Sequence, residues 1–260
     1  MADSKLKIDI RRDRILELLR QKGKVYVSEL SRELGTTPVT IRNDLDSLER
    51  DGYLVRIQGG ALLRARPAPE WGGQEEVVRL PQKQAIARAV AERIPDGSTL
   101  FLNSGTTSLC LAEALKNHRS LNVVTNSLSV AMELGKQSLI HVILLGGEIN
   151  PQFGFTYGSD AEEQLRRYQA DWAGLSVDGV SARGGVTSFH AEETAIDRMM
   201  IERAKHVVFA ADYTKIGRTG FTRICGAGPE IALVTDSGCS PEPVRELERL
   251  GVAVTAVPTE

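Results

Sequence analysis

The stretch that most limits how this chain can fold is Thr36-Thr37-Pro38-Val39-Thr40-Ile41-Arg42-Asn43-Asp44-Leu45. A threonine can cap a helix N-terminus, and proline is pre-set for the first helical position. The spacing predicts a helix from about Pro38 to Asp51, stopped by Gly52, with Ile41, Leu45 and Leu48 on one buried face. Val39, Thr40, Arg42 and Asn43 point sideways or away from that face. An exposed first turn bearing Thr, Arg and Asn suits a helix entering a DNA major groove, where Arg forks onto guanine and Asn onto adenine. Taken alone, the same pattern also fits an ordinary amphipathic helix with a solvated face.

The flanks favour DNA. Residues 11–22 read as a helix with Ile15, Leu18 and Leu19 at core spacing, and Val25-Tyr26-Val27 as a short extended piece. Ser28 is expected to cap a second helix, Glu29–Leu34, closed by Gly35. Two short helices joined by a glycine-bearing turn are the helix-turn-helix pattern. Tyr53–Ile57, Gly59-Gly60 and Ala61–Leu63 then form a hairpin, or wing, with Arg56 set to touch phosphate. Residues assigned to DNA are Thr37, Val39, Thr40, Arg42, Asn43 and Arg56.

Charge agrees in sign but is weak. The whole chain carries a formal −2. Lys and Arg exceed Asp and Glu by four in residues 1–66 and fall short by six in the remainder. A mildly basic front on an acidic body places nucleic acid at the front. The 42% hydrophobic content fits a soluble globular protein, and the three scattered cysteines (110, 225 and 239) fit a reducing cytoplasm. The N-terminus is polar, and no apolar run approaches a membrane span. The four histidines lack metal-ligand spacing, and no cofactor is expected.

Residues 64–81, holding Pro67, Pro69, Gly72, Gly73 and Pro81, read as a linker, with Trp71 packed on one domain. The domains are thus expected at 1–63 and 82–260. After a helix at Gln82–Arg93 with Ile86, Val90 and Ile94 inward, apolar runs alternate with helical stretches. Strands are expected at Thr99–Leu102, Asn122–Thr125, Val142–Leu145, Ala173–Val177, Val207–Ala211, Ile231–Thr235 and Val252–Val257. Helices are expected near Thr106–Lys116, Leu128–Leu134, Ala161–Tyr168, Glu193–Ala204 and Pro243–Leu250. That alternation predicts a mostly parallel sheet flanked by helices, with ligands bound beyond the carboxyl ends of the strands.

The residues just after the strands are small, hydroxylic or charged. Asn103-Ser104-Gly105-Thr106-Thr107 opens a helix whose free N–H groups and hydroxyls suit a phosphate, although it lacks the Gly-Lys-Ser/Thr ending of a nucleotide loop. Thr125-Asn126, Gly146-Gly147, Asp178-Gly179 and Asp212-Tyr213-Thr214-Lys215 follow later strands, and Lys215 can pair with phosphate.

Two sets of residues carry a family resemblance. Thr40–Leu45 with Leu48-Glu49, Gly52, Arg56 and Gly59-Gly60-Ala61 resembles the DNA-binding domain of DeoR-type bacterial repressors. That family usually has two adjacent arginines where this chain has Arg42-Asn43, so no operator sequence carries over. Lys83, Ser104–Thr107, Thr125-Asn126, Gly146-Gly147, Gly158, Asp178-Gly179, Gly185, Glu193 and Asp212-x-x-Lys215 resemble the family's effector domain. An aspartate often stands in the family where this chain has Asn103. The resemblance implies a ribose-5-phosphate-isomerase-like α/β main domain behind a small winged helix-turn-helix. It implies a cytoplasmic repressor of carbohydrate genes that binds double-stranded operator DNA with an affinity controlled by a phosphorylated sugar or related metabolite, and a two-fold operator makes a homodimer or homotetramer the expected form. The effector set it implies is Lys83, Asn103, Ser104, Gly105, Thr106, Thr107, Thr125, Asn126, Gly146, Gly147, Asp178 and Lys215. The alternative is a working sugar-phosphate isomerase or deaminase, with Asp178, His190, Glu192 or Glu193 as acid or base. Likeness of fold does not by itself imply activity.

Overall fold

The computed structural model describes residues 11, 12, 14–16, 18, 19, 22–50, 54–63 and 79–259. The chain divides into two compact units, Met1–Ala68 and Pro69–Glu260. The expected helix stop at Gly52, Trp71 and nearly all of the expected linker lie outside the described residues.

In the first unit the described positions between 11 and 19 are helical, and Ile15, Leu18 and Leu19 are buried as their spacing requires. Strand β1 (Lys24–Tyr26) leads directly into helix α1 (Val27–Glu33). Ser28 therefore lies inside α1, and Tyr26, which makes no side-chain cap, occupies the position expected of Ser28. Gly35 adopts φ +59, a left-handed turn that a glycine enters without steric cost. Helix α2 (Pro38–Arg50) follows. Strands β2 (Leu54–Ile57) and β3 (Gly60–Leu63) form the wing hairpin, and β3 also pairs antiparallel with β1.

The second unit is built on seven parallel strands, which lie side by side in the order 253–257, 231–236, 204–210, 170–176, 99–102, 121–125 and 140–144. They are β4 (Thr99–Leu102), β5 (Leu121–Thr125), β6 (Ile140–Leu144), β9 (Ala170–Ser176), β12 (Ala204–Ala210), β14 (Ile231–Asp236) and β15 (Ala253–Val257). All seven expected strands are present, Thr99–Leu102 with the expected bounds and the other six with at least one end shifted. Side chains alternate between two cores. Leu100, Leu102, Val208 and Ala210 join α3 (Leu80–Ala91), α4 (Thr106–Leu115) and α5 (Leu128–Leu134) on one face. Phe101, Val207 and Phe209 join α6 (Ser159–Leu165), α7 (Ala191–Glu202) and α8 (Pro241–Arg249) on the other. Burial on both faces explains why these strands read as continuous apolar runs. Helix α3 begins two residues before its expected start, with Pro81 in its first turn instead of ending the linker.

Five short strands are not anticipated from the sequence. β7 (Glu148–Asn150) and β8 (Phe155–Tyr157) form a hairpin, and β10 (Gly179–Ser181), β11 (Gly185–Ser188) and β13 (Thr222–Cys225) form a small antiparallel sheet. The loops among these pieces, with those at the carboxyl ends of the parallel strands, carry the polar residues described next.

Candidate functional site

The exposed face of α2 is prepared by its start. Thr37 Oγ1 accepts the Thr40 N–H at 3.2 Å, closing the helix as a threonine cap should. Ile41, Leu45 and Leu48 are fully buried. Asp44, also buried, receives Arg11 Nε at 2.5 Å and Arg12 Nε at 3.1 Å, which fastens α2 to the helical segment before it. That leaves Thr37, Val39, Arg42 and Asn43 exposed and Thr40 half-buried along one end of the helix. Val39 is 62% exposed, and an apolar side chain presented this way is suited to a thymine methyl. Arg56, assigned to phosphate, makes polar contacts to α2. Its Nη1 lies 2.9 Å from Asp46 Oδ1 and donates to the Arg42 carbonyl at 3.3 Å. The wing arginine is therefore folded back on α2 instead of being held out towards solvent.

In the second unit, two connected polar groups form at the carboxyl ends of the strands. The first is cationic. Lys83 Nζ, from α3, donates to Thr106 Oγ1 at the start of α4, 2.7 Å away. Burial, reinforced by the charges of Lys215 and Arg79 and opposed by Asp212, brings the Lys83 ammonium down to about 8. Arg79 Nε lies 3.4 Å from the buried Asp212, and Lys215 Nζ lies 3.5 Å from Asp178 Oδ1. Burial pushes the Asp212 carboxyl up, but Lys215, a hydrogen bond from Thr214, Arg79 and Lys83 together hold it below the usual carboxylate range. Asp178 also accepts the Phe189 N–H at 2.9 Å and the Ser188 hydroxyl at 3.3 Å. Arg79 sits at φ +59, a left-handed conformation that is uncommon for a residue with a β-carbon.

The second group is a buried acid–amide network beneath the first. Asn103 Nδ2 donates to Asp197 Oδ1 at 3.0 Å and to the Ser176 carbonyl at 2.9 Å, while its Oδ1 accepts from the Ser108 hydroxyl and the Ser176 N–H. Glu193 Oε1 accepts both the Ser104 N–H at 3.1 Å and Asn126 Nδ2 at 3.0 Å. Glu193 and Asp197, one turn apart on α7, are both buried. Burial, then the adjacent Glu193 charge, raises the Asp197 carboxyl well above the ordinary value. Gly105, at φ +117, lets this loop pass Ser176; an added β-carbon would stand 2.6 Å from Ser176 Oγ.

The sequence-assigned effector residues therefore separate. Lys83, Thr106, Asp178 and Lys215 share the cationic group; Asn103, Ser104 and Asn126 belong to the network below it. Thr107 is buried, and the fully buried Thr125 uses its hydroxyl to accept the Ser127 N–H. Gly146 donates to Gln164 Oε1, and Gly147 lies against the Tyr157 carbonyl, so these two shape the approach of β6 to α6 and β8. The sequence does not assign Arg79, Asp212, Glu193 or Asp197 to the effector. Glu193 and Asp212 stand among the positions resembling the family and are the available signal. The His190 ring packs at a tilt against Phe153, with ring centroids 4.1 Å apart. Among the described residues no group of three or more His, Cys, Asp or Glu side chains is placed to hold a metal, and no helix is long and apolar enough to cross a membrane.

A winged helix with a prepared reading face, on one chain with an α/β unit bearing a polar loop cluster, defines a ligand-sensing DNA-binding regulator. Residues 11–66 match the DeoR-like helix-turn-helix domain and residues 79–237 the DeoR C terminal sensor domain, and the chain belongs to the DeoR family of transcriptional regulators. It is 33% identical over 240 residues to the glycerol-3-phosphate regulon repressor of Escherichia coli, covering 92% of this chain and 94% of that one. It is 33% identical over 224 residues to the HTH-type transcriptional repressor GlcR of Bacillus subtilis, covering 85% and 86%. Among solved structures, ribose 5-phosphate isomerase A from Neisseria gonorrhoeae matches 51% of this chain and 52% of its own at 14% identity and a TM-score of 0.39. That likeness is too slight to bear on activity. The α/β assignment rests on the sheet itself.

Proposed function

We propose that this chain represses carbohydrate genes by binding operator DNA through α2, and that a phosphorylated sugar or related metabolite bound by the second unit weakens that binding. The observation that carries the reading is the gathering of Arg79 and Lys215 near Lys83, whose ammonium meets Thr106 in the first turn of α4. The three cations face two carboxylates, Asp178 and Asp212. Lys83 is partly desolvated and repelled by the other two, so an anion brought to Thr106 relieves an existing electrostatic cost. The helix start favours the same charge. Asn126 Oδ1 is enclosed with no hydrogen-bond partner among the described residues, in keeping with an occupant that brings hydroxyl donors.

On this reading Thr37, Val39, Thr40, Arg42 and Asn43 meet base edges and nearby phosphates. A helix-turn-helix reads a two-fold operator through two copies, so the working form is a homodimer or homotetramer in the cytoplasm. The body senses and does not catalyse. The proteins it resembles over nearly their full length are named as repressors, and Asp178 is engaged by Lys215 and by the Phe189 N–H.

The test is thermal unfolding of the full chain with glycerol 3-phosphate, ribose 5-phosphate, glucosamine 6-phosphate and their dephosphorylated forms. At least one phosphate ester should raise the melting temperature well above its parent sugar or polyol. Equal responses within every pair would contradict the reading, and turnover of any of the esters would restore the enzyme alternative.

A further inference from the structure

Arg56 belongs to the wing, yet its polar contacts lead into the recognition helix. It sits on β2 opposite Ala61 of β3. Its backbone N–H donates to Glu49 Oε1 at 2.7 Å. Its Nη1 lies 2.9 Å from Asp46 Oδ1 and donates to the Arg42 carbonyl at 3.3 Å. Arg42, Asp46 and Glu49 are spaced four and three residues apart, so they line one flank of α2. A single wing residue thus grips three points along that flank, one of them the backbone of a base-reading candidate.

An exposed ion pair of this kind contributes little to stability, because water screens it. Its geometric effect is larger. Both acceptors are met by Nη1, whose two N–H bonds are fixed in the guanidinium plane; a freely rotating ammonium on a flexible stem does not hold those angles. Asp46 is 56% exposed on the helix that carries Arg42 and Asn43, and an uncompensated carboxylate there repels DNA phosphate. Arg56 neutralises it from within the protein.

We infer that Arg56, acting with Asp46, is a positioning residue. It sets the wing against α2 and thereby fixes how Arg42 meets a base edge, and its contribution goes to sequence discrimination, not to general attraction for phosphate.

The experiment uses the full chain with two probes: a duplex enriched by that chain from a randomised pool, and a random-sequence duplex of the same length. The variants are Arg56→Lys, Arg56→Gln, Asp46→Asn and the double Asp46→Asn/Arg56→Gln. Each single variant should weaken binding to the enriched duplex about tenfold, the scale of one misplaced base contact. The double variant should lose no more than the worse single, because both members act through one geometry. Arg56→Lys keeps the charge and is the variant least able to disturb folding. It should nonetheless lose discrimination, with random-duplex binding and the salt slope unchanged. Three results would overturn the inference. The first is parent-like discrimination in Arg56→Lys. The second is the double variant, which leaves no bare carboxylate at that point of α2, weakening both probes alike while the salt slope falls by about one, the signature of a lost phosphate contact. The third is Asp46→Asn strengthening binding to both probes.

Discussion

The two units solve recognition in opposite ways. The reading face of α2 comes from one short segment, and its side chains stand in water: Thr37, Val39, Arg42 and Asn43 are all exposed. The proposed sensing site draws on segments separated by more than a hundred residues, from Lys83 to Lys215, and half of it is out of water. A surface reader can change its residues with little cost to folding. A buried assembly cannot, because every polar group it encloses needs a partner. Mutations should therefore separate function from stability in the first unit and couple them in the second.

The largest effect is expected at Glu193. The substitution Glu193→Ala strips the acceptor from two buried donors, the Ser104 N–H and the Asn126 amide. The cost should be about 3 kcal/mol of stability together with loss of any ligand response, read by calorimetric unfolding of the full chain. A Glu193→Ala variant as stable as the parent would break the contrast. Asn43→Ala in the reading face should show the reverse pattern. It should lose about 1–3 kcal/mol of binding to the selected DNA, with an unchanged melting temperature. A drop in stability matching the loss of affinity would show that α2 is not an independent surface.

Lys83 sharpens the comparison through pH. Its folded value of about 8 lies below the ordinary 10.5, so between those values the folded chain binds fewer protons than the unfolded one. Stability from this group therefore rises as pH climbs from 8 towards 10.5. Anion binding runs the other way, because it needs the protonated amine. Affinity for a phosphate ester should fall above pH 8, by at most about tenfold per pH unit. Calorimetric titrations from about pH 7 to about 9.5 on the parent and Lys83→Met bracket that value, and identical slopes in the two would remove Lys83 from the site. The smallest effect is at Thr37, whose cap on α2 is worth about 1 kcal/mol. Thr37→Ala should lower the stability of the first unit by that amount in denaturant unfolding, and a stability equal to the parent's would mean that the cap does not contribute.

The contrast also explains what can be read from the sequence. The recognition helix announces itself through contiguous residues: a threonine, a proline and apolar positions 41, 45 and 48. The central parallel strands are legible because burial on both faces leaves apolar runs such as Leu100–Leu102 and Val207–Ala210, while the edge strands β6 and β15 are only partly buried. The small strands are not legible. Phe155–Tyr157 is three residues long, and Val186 finds its partner at Cys225, a pairing no local pattern announces. Glu192 and Glu193 are adjacent and chemically identical, yet the first is exposed and the second is buried beneath two loops. Only the packing of α7 distinguishes them. Arg56 reads as a phosphate contact from its place in the hairpin; its pairing with Asp46, ten residues earlier, is announced by no local pattern.

Titrating the DNA complex of the full chain with a sugar phosphate tests the central claim most directly: that an anion seated among Arg79, Lys83 and Lys215 controls the reading of DNA by α2. The phosphate ester that stabilises the chain most is added to the complex with the selected duplex, beside its dephosphorylated form. A tenfold loss of DNA affinity requires about 1.4 kcal/mol of coupling between the two sites. The account predicts such a loss with the ester, little with the parent compound, and none with the ester in Lys215→Ala, which should still bind DNA normally. Equal release by both compounds, or a Lys215→Ala chain that responds like the parent, would contradict it.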